Sequence, residues 1–328
     1  MHCALGAAIL CAGAQRTARA ADGFDLSVPA QPQSADAAST ATAANSAPAT
    51  RVDTGFLGDL LSSWHAVAAQ AAATQPNWAS PLVTTTPLLK QRIRFDVDYQ
   101  HSGNGTNTTI LDGGKGLDLI VTPTNEIQIA AAPYYFRSGV AGVGPKNKGA
   151  IPSFAGWGDW TFIRIEQRLA ASPESGGNYV VTAWLQIQAP TGIPQLSSDS
   201  WQYIPTIAFG KGFGKFVVQS NVGVAIPASN TAKLGHPIQT NVAFQYHVHG
   251  VFWPELEVNW TYYPDGQRGG LNQVYLTPGL ILSSFSLGGG FRLTLGAGYQ
   301  VAVAPAYRPK PQTPSYNHAW IFTTRLNF

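Results

Sequence analysis

His318-Ala319-Trp320-Ile321-Phe322-Thr323-Thr324-Arg325-Leu326-Asn327-Phe328 closes the sequence. Trp320, Phe322, Thr324, Leu326 and Phe328 alternate with Ile321, Thr323, Arg325 and Asn327. Successive side chains of a strand point to opposite faces, so one face here is mostly apolar and the other mostly polar. The stretch has the length that a tilted strand needs to cross the hydrocarbon of a bilayer.

A C-terminal amphipathic strand ending in Phe resembles the assembly signal of bacterial outer-membrane β-barrels. That resemblance implies that Trp320, Phe322, Leu326 and Phe328 are presented to the barrel assembly machinery and then to outer-membrane lipid.

The pattern recurs upstream. Strands are expected at 88–100, 116–122, 126–136, 157–170, 178–189, 201–210, 215–226, 237–249, 253–263, 272–282, 291–303 and 318–328. In the first, Ile93, Phe95, Val97 and Tyr99 oppose Arg92, Arg94, Asp96 and Asp98. In the ninth, Leu256, Val258, Trp260 and Tyr262 oppose Glu255, Glu257, Asn259 and Thr261. In the eleventh, Phe291, Leu293, Leu295, Tyr299 and Val301 oppose Arg292, Thr294 and Gln300. Some strands fit less well: Trp184 falls on the polar face of the fifth, and Pro205 and Pro278 interrupt two others.

The connections sort by length. The longer ones, at 101–115, 137–156, 190–200, 227–236, 264–271 and 304–317, alternate with mostly shorter ones at 123–125, 171–177, 211–214, 250–252 and 283–290. An even number of strands with alternating short turns and long loops is the habit of transmembrane barrels. The expectation is an all-β, up-and-down antiparallel transmembrane barrel of about twelve strands, with both chain ends in the periplasm of a Gram-negative cell. Composition agrees. Charged residues are 11% of the 328, about half the usual share, and Gly numbers 34.

Residues 1–20 read as a signal peptide, with an apolar run over 3–14 and Ala18-Arg19-Ala20 as the cleavage site, although no Lys or Arg precedes the run. Cys3 and Cys11 lie within it, so the mature chain would offer neither disulfides nor thiolate ligands. Losing Arg16 and Arg19 takes the basic count from 20 to 18 against 17 acidic residues, and nothing favours nucleic acid. Residues 21–86 read as an Ala/Ser/Pro-rich linker holding one amphipathic helix over about 55–72, on Phe56, Leu57, Leu60, Leu61, Trp64, Val67 and Ala68. The helix is expected against the barrel end or on the membrane surface; the alternative is a plug that enters the lumen.

Hydrocarbon solvates neither charges nor free backbone groups, so the sheet must close and turn its charges inward. The expected lumen lining is Arg92, Arg94, Asp96, Asp98, Arg164, Glu166, Arg168, Glu255, Glu257, Arg292 and Arg325, with Glu126 beside them. Aromatic residues near strand ends, Tyr134, Tyr135, Trp157, Trp160, Tyr203, Trp253, Trp260, Tyr262, Tyr263 and Trp320, suit the interfacial girdles. The mixed lining is either a filled network of ion pairs or a constriction that selects permeants.

The stretch 157–303 resembles the MetA-pathway of phenol degradation family of outer-membrane transporters. The resemblance rests on Gly158-Asp159-Trp160, Ala189-Pro190-Thr191-Gly192, Pro254-Glu255-Leu256-Glu257, Leu276-Thr277-Pro278-Gly279-Leu280 and Leu295-Gly296-Ala297-Gly298-Tyr299. It implies a channel or transporter for small molecules, aromatic or hydrophobic ones among them. The alternatives are a closed barrel with a structural or surface-interaction role and, behind it, a barrel enzyme.

No catalytic residue, cofactor or metal is expected. His236, His247 and His249 bring no further ligand set, and no spacing points to a nucleophile triad. Gly210-Lys211-Gly212-Phe213-Gly214-Lys215 joins two strands rather than opening a helix, so it reads as a turn and not a phosphate loop.

Overall fold

A computed structural model describes residues 56–112, 115–142, 149–305 and 315–328, with side chains of the first helix from Ser63 onward. The expected signal peptide and the Ala/Ser/Thr-rich stretch after it lie outside the described residues.

Helix α1, Phe56–Ala73, precedes the strands. Val67, Ala68 and Ala71 share one face and pack on Leu89 and Ile120. The Trp64 indole donates to the Ile120 carbonyl at 2.7 Å and meets the Phe328 ring edge-on at 6.4 Å. The helix ends where the Thr74 hydroxyl turns back on the Gln70 and Ala71 carbonyls, two residues before Pro76. No helix among the described residues is long and apolar enough to cross a membrane.

Twelve strands close an antiparallel up-and-down transmembrane barrel. They are β1 (Arg92–His101), β2 (Asn107–Leu111 and Gly116–Thr122), β3 (Asn125–Ala130 and Tyr134–Arg137), β4 (Phe154–Trp157 and Trp160–Ser172), β5 (Tyr179–Ala189) and β6 (Gln202–Phe213). The circuit continues with β7 (Phe216–Val224), β8 (Ile238–Tyr246), β9 (Phe252–Tyr262), β10 (Asn272–Gly288), β11 (Phe291–Ala304) and β12 (His318–Asn327). β12 pairs with β1 from Arg92↔Asn327 to His101↔His318, so the sheet has no free edge.

β2 corrects the expected long loop at 101–115. Asn107–Leu111 pairs with the upper half of β1 and Gly116–Thr122 meets its lower end, which leaves 102–106 as the connection. The break between the two halves falls at Asp112, whose φ of 69° takes it out of the pleat. β3 and β4 break at the same level, and the Gly158 N–H bridges to the Pro133 carbonyl at 2.8 Å. β10 extends past its expected end, so 283–290 shrinks to a turn at Gly289 and Gly290, both with positive φ. Pro205 and Pro278 stay inside strands, paired with Leu185 and Leu256.

The connections 123–124, 173–178, 214–215, 247–251 and 289–290 gather at one end of the barrel, called here the turn end. The longer 190–201 and 263–271 lie at the other, the loop end, with the described parts of the connections after β3 and β11 and a short helix α2 (Thr231–Leu234) between β7 and β8. Gly210–Lys215 is the β6–β7 hairpin, with Phe213 paired to Phe216 and Gly214 at φ 63°.

Alternation sorts the faces. On β1 and β12, Ile93, Phe95, Trp320 and Phe322 are exposed outward, while Arg92, Arg94, Asp96, Thr323 and Arg325 are buried inside. Each outward CH₂ that contacts lipid rather than water gains about 0.8 kcal/mol, and the inward charges avoid the hydrocarbon.

Candidate functional site: the strapped lumen

Residues 75–91 leave α1 and enter the barrel from the turn end as a strap without helix or strand, bent at 82–84. The sequence places most of this stretch in a linker. The structure instead buries Trp78, Ala79, Leu82 and Leu88 in one cluster with Val180, Val217, Trp253 and Ile281 of the wall. The strap is a loop closed at its base: the Gln75 amide donates to the Leu89 carbonyl at 2.7 Å and accepts from the Leu89 N–H at 3.1 Å. Arg168 clamps that base, donating to the Ala71 carbonyl, Thr74 Oγ1, Gln75 Oε1 and the Pro123 carbonyl within 2.7–3.2 Å. The helix therefore sits against the barrel end, and the plugging element is the segment that follows it.

The tip of the strap is held through its backbone. The Leu82 N–H donates to Glu255 Oε1 at 3.0 Å, and the Val83 and Thr84 N–H groups donate to the two oxygens of Glu257 at 2.8 and 2.5 Å. Arg325 donates to the carbonyls of Ser80 and Pro81, and Arg94 to that of Leu82. Farther along, Asn221 reaches the Thr85 carbonyl at 3.0 Å, and Gln219 joins the Thr86 hydroxyl to the Ala79 carbonyl at 2.7 and 2.8 Å. The Leu82 side chain lies against Gly279, Gly296 and Gly298: a Cβ built on Gly298 would stand 2.6 Å from its Cδ1.

Beside the strap the wall carries a packed ion network. Arg92 pairs with Asp118 at 2.7 Å and Arg94 with Asp96 at 2.7 Å. Arg164 faces Glu126, Glu166 and Asp118 at 2.9, 3.3 and 4.0 Å. All are buried, where an unpaired charge costs several kcal/mol, so pairing is what makes them tolerable. Asp98 is half-buried above them.

Of the expected lining residues, Arg92, Arg94, Asp96, Arg164, Glu166, Glu255, Glu257 and Arg325 meet around the strap, and Arg168 holds its base. Arg292 lines the turn-end mouth rather than the strap site. Its inward parity places it at the last rung before the β10–β11 turn, where it is exposed and reaches Ser284 Oγ at 3.4 Å. Asp118, Lys90, Gln219 and Gln245 belong to the site although the sequence does not single them out. Two aromatic assignments change as well. Trp253 leaves the girdle for the interior, stacked on His247 with centroids 4.3 Å apart, because it shares the parity of Glu255. Trp184 is buried in the lumen, where the Arg164 guanidinium lies 5.4 Å from its ring. Its polar-face position is thus its real one.

Above the strap tip runs a ladder of amides. Asn241 donates to Asn221 at 2.9 Å, Asn259 to Asn241 at 3.0 Å, and Gln300 to Asn259 and Thr277 at 2.9 Å each. Tyr316 folds in from the last loop, stacked on Tyr275 at 4.6 Å and bonded to Gln300. A cavity lies toward each end of the barrel. One of about 880 Å³ lies at the turn end, lined by α1, the strap base, Lys90, Arg292, Arg325 and Phe328. One of about 330 Å³ lies at the loop end, lined by Tyr135, Asp159, Thr161, Gln188, Gln202 and Lys233. Outside that mouth His236 bonds Asp265 through its backbone N–H and ring nitrogen at 2.6 and 2.7 Å. The ring bond first, then the backbone bond, holds the Asp265 carboxyl below the usual carboxylate range.

The fold and site define a transmembrane β-barrel whose lumen is crossed by its own N-terminal strap. No family model and no curated protein match the chain. Among solved structures, it is similar to an outer-membrane channel from Pseudomonas putida F1, at 15% identity and a TM-score of 0.48 over 76% of this chain and 100% of that one. An anion-selective porin from Comamonas acidovorans matches at 11% identity and a TM-score of 0.32, over 72% and 97% of the two chains. The outer-membrane phospholipase A of Escherichia coli matches at 9% identity and 0.33, over 77% and 94%.

Proposed function

We propose that the protein is an outer-membrane channel for small molecules, closed at rest by its strap. The observation that carries this reading is how the strap is held. The tip depends on hydrogen bonds between wall side chains and its backbone and on one leucine, with a cavity at the strap base on the turn-end side. Such a loop can leave the lumen without unfolding the barrel, because every wall strand is paired by its neighbours rather than by the strap. Its removal would extend the turn-end cavity into the mid-lumen. Trp184 and Trp253 on the wall of that space favour small aromatic or hydrophobic permeants, in keeping with the resemblance to the MetA-pathway family. In this reading the turn end faces the periplasm with both chain ends, and the longer loops face outward.

The buried ion network favours a second reading, a closed barrel with a structural role. Single-channel recording of folded protein in planar bilayers, with heat-modifiable gel mobility as the folding control, separates the two. Discrete openings that become more frequent in Leu82→Ala support the gated channel. Silence from both folded proteins, together with no solute uptake into liposomes, would support the closed barrel.

A further inference from the structure

Glu255, Glu257 and Arg325 are buried, and among the described residues none has an ion-pair partner within 4.0 Å. Buried charges ordinarily pair with each other. Here the carboxylates are met by the successive N–H groups of Leu82, Val83 and Thr84, with Gln245 donating to the other oxygen of Glu255 at 2.8 Å. The guanidinium is met by the carbonyls of Ser80 and Pro81, with its Nε on Thr323 Oγ1 at 3.1 Å. The wall thus carries acceptors for three successive N–H groups, and donors for the carbonyls just before them, of one bent backbone segment, since residues 82–84 form a bend.

Between them lies a notch made of three glycines, filled by an aliphatic side chain. A Cβ on Gly298 would come within 2.6 Å, and on Gly296 within 2.9 Å, of a Leu82 methyl, and one on Gly279 closer still. Recognition of main chain by hydrogen bonds, with one pocket reading a side chain, is a recurring logic of peptide binding. The three sequence stretches Pro254–Glu257, Leu276–Leu280 and Leu295–Tyr299 supply all of Glu255, Glu257 and the glycine notch.

Building on the channel reading, we propose that the mid-lumen wall is a binding site for a short, bent peptide segment carrying a branched aliphatic side chain. Residues 80–84, Ser-Pro-Leu-Val-Thr, are its resident ligand. A free peptide of that chemistry occupies the site when the strap is out. The tethered strap competes at an effective concentration in the millimolar range, so the unaltered protein binds free peptide weakly.

The test uses the full chain carrying Leu82→Asp, which sets a carboxylate beside Glu255 and expels the tip while leaving the wall intact. A fluorescent acetyl-Ser-Pro-Leu-Val-Thr-amide is titrated against the folded protein in detergent and followed by anisotropy. Saturable binding is expected, at least tenfold tighter than to the unaltered protein. It should be lost when the peptide leucine becomes Asp, and lost again when Gly298→Leu fills the notch. Leu82→Ala serves as the second variant if Leu82→Asp does not fold. Absence of saturable binding to whichever variant folds overturns the proposal, as does binding indifferent to Gly298→Leu. The channel reading fails separately: a variant that binds peptide but never conducts removes the channel and keeps the site, and one that conducts but ignores peptide does the reverse.

Discussion

Replacing Arg164 by Met tests whether the ion network is sealed or washed by water. The Arg164 guanidinium is the common partner of Glu126 at 2.9 Å and Glu166 at 3.3 Å, with Asp118 at 4.0 Å. Side-chain exposure is 5% for the arginine and 1% or less for the three acids. Methionine keeps most of the volume, so packing changes little and the electrostatic loss dominates. Arg92 then remains to balance Asp118, and Glu126 and Glu166 are stranded. Neither Glu166 oxygen accepts a hydrogen bond among the described residues, so the ion pair is its only compensation. Removing one partner of a buried pair costs about 3–5 kcal/mol, whereas a hydrated pair is worth about 0–1 kcal/mol. The lost contact of Arg164 with the Trp184 ring adds roughly 0.5–2 kcal/mol. Urea unfolding in lipid vesicles, read by tryptophan fluorescence and gel mobility, should show destabilisation of at least about 3 kcal/mol. Adding Glu166→Gln to the same chain should restore part of it. A change below about 1 kcal/mol would refute the reasoning, because it would mean that water already solvates these charges.

Three further outcomes are expected. Phe322→Arg puts a charge on the lipid face of β12, opposite Val97 and Ala297, and should cost roughly 2–4 kcal/mol near the midplane; an unchanged yield of heat-modifiable folded barrel would contradict the assigned face. Trp64→Ala removes the bond to the Ile120 carbonyl and the edge contact with Phe328, so limited proteolysis should cut within α1 faster while the barrel stays folded. Asp265 titrates below the ordinary carboxylate range, so its contribution to loop stability is full above that range and is lost as pH falls through the depressed value. Carboxyl NMR should place its midpoint low and move it upward in His236→Ala, though not fully, because the His236 backbone N–H still donates.

Period-two alternation, sorted connections and sparse charge were enough to derive the barrel, its strand number and its inward and outward faces from the amino acids. These are local properties. A strand's parity is written in its own residues, and lipid leaves only one way to place the charged face. Arg92, Arg94, Asp96, Glu255, Glu257 and Arg325 were legible as lumen residues for that reason. Where parity was set aside for a rule about strand ends, as at Trp253, the sequence reading failed.

What those residues hold was not legible. The strap has no period, and Pro76, Pro81 and Pro87 make it read as a linker. Its bulky Trp78, Leu82, Leu88 and Leu89 were the one signal that it needed burial. Leu82 meets Gly298 and Glu255 only after the sheet has closed, across more than 170 residues of chain. Sequence determines which face of each strand turns inward. Only closure of the barrel determines that Glu255, Glu257, Arg94, Arg325 and three glycines converge on one backbone, because that convergence depends on strand register and barrel diameter, which no single strand carries.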